Sequence, residues 1–202
     1  MILNKNDIEE LEQRYRTAFI NSLSGFRQAV LVGTTSPQHN NNLAIFNSLI
    51  HLGAHPALFG LISRPSNVQR DTLQNILDTK VYTVNYVQAA DYTKAHQTSA
   101  RYEKDISEFE KVGFNTFFYP ECQAPFVEEA IVKIALQFEE CIPIPLNGTV
   151  LIIGSVMQVH IADAMVEEDG FVNLAASEVL ISQGLDAYFI AKDLGRLPYA
   201  KP

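Results

Sequence analysis

Five histidines, two cysteines and several paired acids are the residues best suited to metal or nucleophilic chemistry in this chain. Their spacing supports neither. His51 and His55 stand four apart, as two ligands on one helix face would, but Gly53 and Pro56 argue against a continuous helix. A third ligand nearby is also missing, so no metal site is expected. There is no G-x-S-x-G elbow for a serine hydrolase, and neither G-x-G-x-x-G nor a P-loop for a nucleotide held in those ways. Glu128-Glu129, Glu139-Glu140 and Glu167-Glu168 read as solvated positions at strand ends and turns. Cys122 and Cys141 are too far apart for a C-x-x-C unit and read as reduced structural thiols.

Two segments offer something more positive. Ser63-Arg64-Pro65-Ser66-Asn67 ends an apolar, strand-like run over 57–62, and Arg70-Asp71-Thr72 opens a helical pattern over 71–79. A helix N-terminus presents unpaired N–H groups and the positive end of a dipole. Two arginines that can fork onto oxygen pairs, with hydroxyls from Ser63, Ser66 and Thr72, would complete a phosphate cradle. The other reading is a loop in which Asp71 or Thr72 caps the helix and the arginines sit in water. The second segment runs from Gln38 to Ser48, a polar tip leading into a strand with Asn and Ser among its apolar residues. Such a strand suits an aromatic ring system with a hydrogen-bonding edge. It equally suits an ordinary hairpin with Asn-rich turn chemistry.

Charge singles out the same region. The chain of 202 residues has 15 basic and 23 acidic side chains, a net charge of −8. That balance disfavours nucleic acid and anionic lipid as partners. It is uneven: residues 25–102 carry six bases and three acids, and residues 103–202 carry six bases against sixteen acids. A locally cationic middle in an acidic protein could hold a small anion. Acids at Asp7, Glu9 and Glu10 precede any apolar run, so no signal peptide is visible, and no apolar stretch approaches the ~18 residues of a membrane span. A cytoplasmic protein is expected.

The elements that must position these residues follow from periodicity. Ile8, Leu11, Tyr15, Phe19 and Leu23 form one stripe of an amphipathic helix over 7–23, capped by Asn6 or Asp7 and ended by Gly25. Strands are expected at 29–32, 57–62 and 81–87, and a short helix at 71–79 with Leu73, Ile76 and Leu77 on one face. Residues 91–113 read as a polar, irregular excursion closing on a helical turn near 108–111. Two long strands, 129–144 and 149–161, are joined through Leu146-Asn147-Gly148, the strongest hairpin signal present. Pro120, Pro125 and Pro143 are expected where strands begin. Strands and full helices do not alternate, so the class is mainly β with added helices: an antiparallel barrel or sandwich, in one domain over 1–202.

Taken in order, several of these segments resemble the flavin reductase-like family. They are Val32-Gly33-Thr34-Thr35, Asn42-Leu43-Ala44-Ile45-Phe46-Asn47-Ser48, His55-Pro56, Ser63-Arg64-Pro65, Arg70-Asp71-Thr72 with Asn75-Ile76, and Tyr82-Thr83-Val84-Asn85. Thr98-Ser99-Ala100, Ser107-Glu108-Phe109-Glu110 with Gly113, Gly148-Thr149 with Ile152-Ile153-Gly154, and Gly184-Leu185-Asp186 with Tyr188 continue the series. The resemblance implies an FMN-binding split β-barrel over 27–188, with a helical N-terminal extension (1–26) and a C-terminal tail (189–202). It implies that Asn42, Leu43, Ala44, Ile45, Phe46 and Ser48 line the ribityl chain and ring of FMN. Ser63, Arg64, Arg70 and Thr72 would receive the phosphate, and Ser99 would approach from the excursion. It further implies a homodimer with FMN near the subunit interface and hydride transfer from NAD(P)H, the alternative being a non-catalytic FMN-binding electron relay. The cofactor carries that chemistry, so no catalytic side chain is assigned. His160 could seat a nicotinamide, or it could be a packed or solvated histidine.

Overall fold

The computed structural model describes residues 1–65, 71–103 and 106–201. In chain order the elements are α1 (Lys5–Glu10), α2 (Gln13–Leu23), β1 (Phe26–Gln28), β2 (Val30–Thr35), β3 (Asn41–Phe46), β4 (Leu49–Ala54) and β5 (Ala57–Ser63). There follow α3 (Asp71–Thr79), β6 (Val81–Tyr86), α4 (Tyr92–Gln97), α5 (Glu108–Val112), β7 (Thr116–Phe117) and β8 (Phe126–Val127). β9 (Val132–Ile144), β10 (Thr149–Ile161), β11 (Leu180–Gln183) and β12 (Ala187–Ile190) complete the chain.

One seven-stranded sheet dominates, in the order β3-β2-β6-β9-β10-β5-β4, and every adjacent pair is antiparallel. Its two edge strands are consecutive in sequence. Laid flat, six steps of about 4.8 Å would separate β3 from β4 by about 29 Å. The three residue steps from Phe46 to Leu49 span at most about 11 Å. The sheet therefore has to roll until its edges meet, and Asn47–Ser48 is the seam. Ser48 fastens it: Oγ donates to the Ile62 carbonyl (3.0 Å) and accepts from the Ile62 N–H (3.3 Å).

Strand alternation sorts the apolar residues onto two faces. Val30, Val32, Tyr82, Val84, Ile134, Leu136 and Ile152 fill the interior, with Ile76 of α3 among them. Leu31, Leu43, Val127 and Leu180 form a second cluster with Ala95 of α4, Phe109 of α5 and Phe114. The interior is tight where β10 crosses Tyr82. A Cβ on Gly154 would fall inside van der Waals contact of the Tyr82 hydroxyl and 3.1 Å from the Gln137 carbonyl oxygen. A second, smaller sheet, β1-β11-β12, lies beside the first, and β7-β8 form a short ladder.

Several expectations hold: α3 occupies 71–79 and β10 occupies 149–161, and the Asn147-Gly148 turn has Gly148 at φ +72°. Others need correction. The N-terminal stripe is two helices, not one, because Leu11 turns extended (ψ 141°) and Glu12 caps α2 through the Tyr15 N–H. The first cap is Asn4, which shares a capping box with Asp7. Neither helix buries a residue, so that stripe does not serve this chain's core. The excursion contains α4, which its polar composition hid. Pro143 lies inside β9, opposite Val150, beyond the last residue paired with β6, where a strand tolerates a missing N–H.

One carboxylate closes the β3 edge. Glu108, at the start of α5, accepts from the Leu43 N–H at 2.9 Å. Burial pushes its carboxyl above the ordinary value, partly opposed by that N–H. Two outcomes follow. Gly154→Ala should cost about 1–3 kcal/mol through overpacking, a fall in Tm of roughly 3–10 °C, and Tyr82→Phe should restore part of the loss. An acid whose folded pKa is raised stabilises most below its unfolded value and loses that contribution as pH rises through the folded one. In thermal melts E108Q should therefore gain on the wild type as pH rises from about 4.5, and a gap independent of pH would remove Glu108 from that role.

Candidate functional site

The two segments singled out by sequence meet at one corner of the barrel. Antiparallel pairing sets Asn42 of β3 opposite Thr34 of β2. From there the Asn42 amide nitrogen donates to Thr34 Oγ1 (3.2 Å) and to Thr72 Oγ1 of α3 (3.0 Å). Asn75, one turn further along α3, also donates to Thr34 Oγ1, at 3.1 Å. Thr34, Thr72 and Asn75 are buried, at 0%, 7% and 6% exposure, so the network is desolvated and each bond is worth more than on the surface. Thr72 Oγ1 accepts from Asn42 and keeps its own hydrogen to donate. It does so in the first turn of α3, where main-chain N–H groups have no partner within the helix. Together these donors suit an anion such as a phosphate.

The remaining sequence-derived residues are placed as follows. Leu43 is fully buried in the outer cluster, and Ile45 packs against the same cluster. In an antiparallel edge strand alternate residues turn both main-chain groups outward. Leu43 is one of these, its N–H taken by Glu108, and Ile45 is the next, so Ile45 offers the edge to a ligand. Ala44 and Phe46 share the face of Asn42, and Phe46 packs against the interior cluster. The Ser48 hydroxyl is engaged by Ile62. Ser63 is buried at the end of β5, and Arg64 follows it, exposed. Arg70 and Ser66 lie outside the described residues. Ser99 is exposed in the turn after α4 and bonds, through its N–H, to the His96 carbonyl.

Sequence reasoning assigned no role to Thr34, Asn75 or Glu108. A signal existed for two of them. Thr34 sits across the hairpin from Asn42, and Asn75 follows Thr72 by three residues, which puts both on one face of a helix. Glu108 is held to β3 across 65 positions, which no local pattern reveals.

Two recesses flank the barrel. One of about 540 Å³ opens between the β2–β3 turn and α5, lined by His39, Asn40, Asn41, Ser107 and Glu110 among others. The other, of about 360 Å³, is lined by Tyr119, Lys133 and His160. His160 is a packed histidine: its ring lies flat on Tyr119, with centroids 3.3 Å apart, and Phe126 stands edge-on. Desolvation, then the Lys133 charge, hold its pKa below the ordinary value. Among the described residues no group of three or more His, Cys, Asp or Glu is placed to hold a metal ion, and no helix is long and apolar enough to cross a membrane.

Known proteins share this architecture. A split-barrel protein from Shewanella frigidimarina NCIMB 400, provisionally named a flavin reductase, is 46% identical over 99% of this chain and all of its own, with a TM-score of 0.95. Nitrilotriacetate monooxygenase component B from Bacillus cereus has the same fold at 18% identity, with a TM-score of 0.86 over 98% of each chain. So does an FMN-binding protein from Thermus thermophilus at 16% identity, with a TM-score of 0.72 over 88% of this chain and 93% of its own. The sequence profile of the flavin reductase like domain matches residues 23–176. A rolled antiparallel sheet with an N-terminal helical arm, and a profile spanning most of it, lead to one conclusion: the chain belongs to the flavin reductase-like family and folds as its split barrel.

Proposed function

We propose that the β3–α3 corner binds FMN and that the protein is an oxidoreductase taking hydride from NAD(P)H. The observation that carries this reading is the Asn42–Thr72 hydrogen bond. It ties the strand expected to follow the ribityl chain and ring to the helix N-terminus expected to receive the phosphate. The family, and the FMN-binding relative from Thermus thermophilus, support the choice of ligand.

In this reading the Thr72 hydroxyl and the first N–H groups of α3 donate to the phosphate, and Ser63, Arg64 and Arg70 supply the further hydroxyl and the charge. Asn42 orients the ribityl hydroxyls, and its bonds to Thr34 and Thr72 fix its rotamer. The outward main chain of Ile45 meets the polar edge of the ring, and Ala44 and Phe46 bound its face. Leu43 contributes by anchoring β3 in the core, and Ser48 by holding the seam. Ser99 and the excursion that bears it cover the ligand. Bound there, FMN supplies the hydride-accepting centre and passes electrons onward. The residues of the chain bind, orient and exclude water, and none has to act as a nucleophile. A second copy of the chain completes the assembly, in keeping with exposed apolar residues such as Leu23, Phe26 and Phe189.

Arg64→Ala should weaken FMN by about tenfold or more, since a charge-assisted hydrogen bond contributes about 1.5–3 kcal/mol. Riboflavin, which lacks the phosphate, should lose less than about twofold. Thr72→Val should weaken both ligands, because it also releases Asn42, but FMN more than riboflavin. Equal losses for both ligands in flavin-fluorescence titrations would show that neither residue reads the phosphate. For the reaction, anaerobic stopped-flow mixing of the FMN-loaded protein with NADH or NADPH should bleach the flavin absorbance well above the rate for free FMN. Bleaching no faster than free FMN would replace the oxidoreductase with a non-catalytic electron relay.

A further inference from the structure

The small sheet β1-β11-β12 carries a polar row that the flavin reading does not use. Pairing sets Arg27 opposite Ser182, and Ser182 opposite Tyr188. The Tyr188 hydroxyl is already engaged, 2.9 Å from His96 Nδ1. The other two are not: Arg27 Nε and Nη2 and Ser182 Oγ are buried and have no hydrogen-bond partner. Ser182 as a whole is only 3% exposed. Among the described residues no carboxylate comes within ion-pair distance of Arg27.

Burying an unpaired guanidinium edge is strongly unfavourable, because the charge loses water and gains nothing in return. The particular atoms indicate what would offset that cost. Nε and Nη2 form one side of the guanidinium, two parallel N–H groups whose spacing matches the two oxygens of a carboxylate. Ser182, directly across the ladder from Arg27, carries a further unpaired donor. We infer that Arg27 and Ser182 form a carboxylate-binding site. Arg27 as a whole is only half-buried.

The site is separate from the phosphate end of the β3–α3 corner: Arg27 and Thr34 lie seven residues apart along nearly continuous extended chain, about 23 Å at the rise of a strand. It is nearer the other end of β3, since Val30, three residues from Arg27, pairs with Phe46. The inference rests on the unpaired donors themselves and not on the flavin reading. A carboxylate can come from two sources, a free carboxylate-bearing molecule or an acidic side chain of a second copy of this chain.

The test follows the Arg27 Nε–H resonance of the full-length protein by NMR, identified by its absence in Arg27→Lys. Sodium benzoate is the probe and inorganic phosphate the comparison anion. Benzoate should move the resonance saturably and raise Tm. Arg27→Lys keeps the charge but loses the fork, and, read through the benzoate-induced rise in Tm, should weaken benzoate at least tenfold. Ser182→Ala should weaken it about three- to tenfold, which keeps a second readout should the lysine variant misfold. A resonance that is already shifted without benzoate, and that moves back on dilution to the monomer, assigns the carboxylate to the second copy. The inference is overturned if the resonance ignores both benzoate and protein concentration, or if phosphate binds as tightly as benzoate.

Discussion

Three residue steps joining opposite edges of a seven-stranded sheet constrain almost everything else in this protein. Because Phe46 leads so directly to Leu49, the sheet cannot stay open, and the interior must be small enough to fill with side chains. The serine at the seam exchanges both of its hydrogen bonds with the main chain of a single residue of β5, Ile62. Its neighbour Asn47 reaches the other way, donating to the Gly184 carbonyl at 2.8 Å and tying the small sheet to the large one. Closure also decides where α3 can go. The helix that follows β5 lies across β2 and β3, which is how Thr72 and Asn75 meet Thr34 and Asn42.

A second set of polar groups works inside the protein rather than at its rim. Asn85 and Thr83 are wholly buried on β6. Asn85 donates to the Leu31 carbonyl and to Thr83, and accepts from the Val127 N–H; Thr83 donates to the Pro125 carbonyl. These bonds satisfy a stretch of backbone around β8 that has only a two-residue ladder of its own. A buried network of this kind specifies one docking position, because any other leaves donors unpaired. Gly33 belongs to the same arrangement: a Cβ there would strike the Pro125 carbonyl oxygen.

Legibility in the sequence tracked the range of the interactions involved. The Asn147-Gly148 hairpin and the amphipathic α3 are local events, written in adjacent residues, and both stand where the pattern puts them. The run of hydroxyls and arginines between β5 and α3 stood out for the same reason, since those residues are neighbours in the chain. Glu108 and the pairing of β1 with β11 depend on partners 65 or more positions away, and composition carries no trace of such distances. α4 escaped because its contribution to the core is a single alanine, Ala95. The break in the N-terminal helix escaped because Leu11 continues the apolar spacing even though its backbone does not. The meeting of β3 with α3 came through the ordered series of motifs rather than through any one of them.

The last six residues of β9 have a neighbour on one side only, since the contact with the β6 side ends at the Phe138 N–H, which donates to the Lys80 carbonyl. A half-free strand of that length is a template on which another polypeptide could add itself, the first step of edge-to-edge aggregation. Here the exposed rim carries Glu139 and Glu140 and is interrupted by Pro143. Two adjacent carboxylates repel an identical strand laid alongside, and the proline denies it a hydrogen-bond donor. Two of the acids concentrated in the second half of the chain thus guard this edge of the barrel against copies of itself.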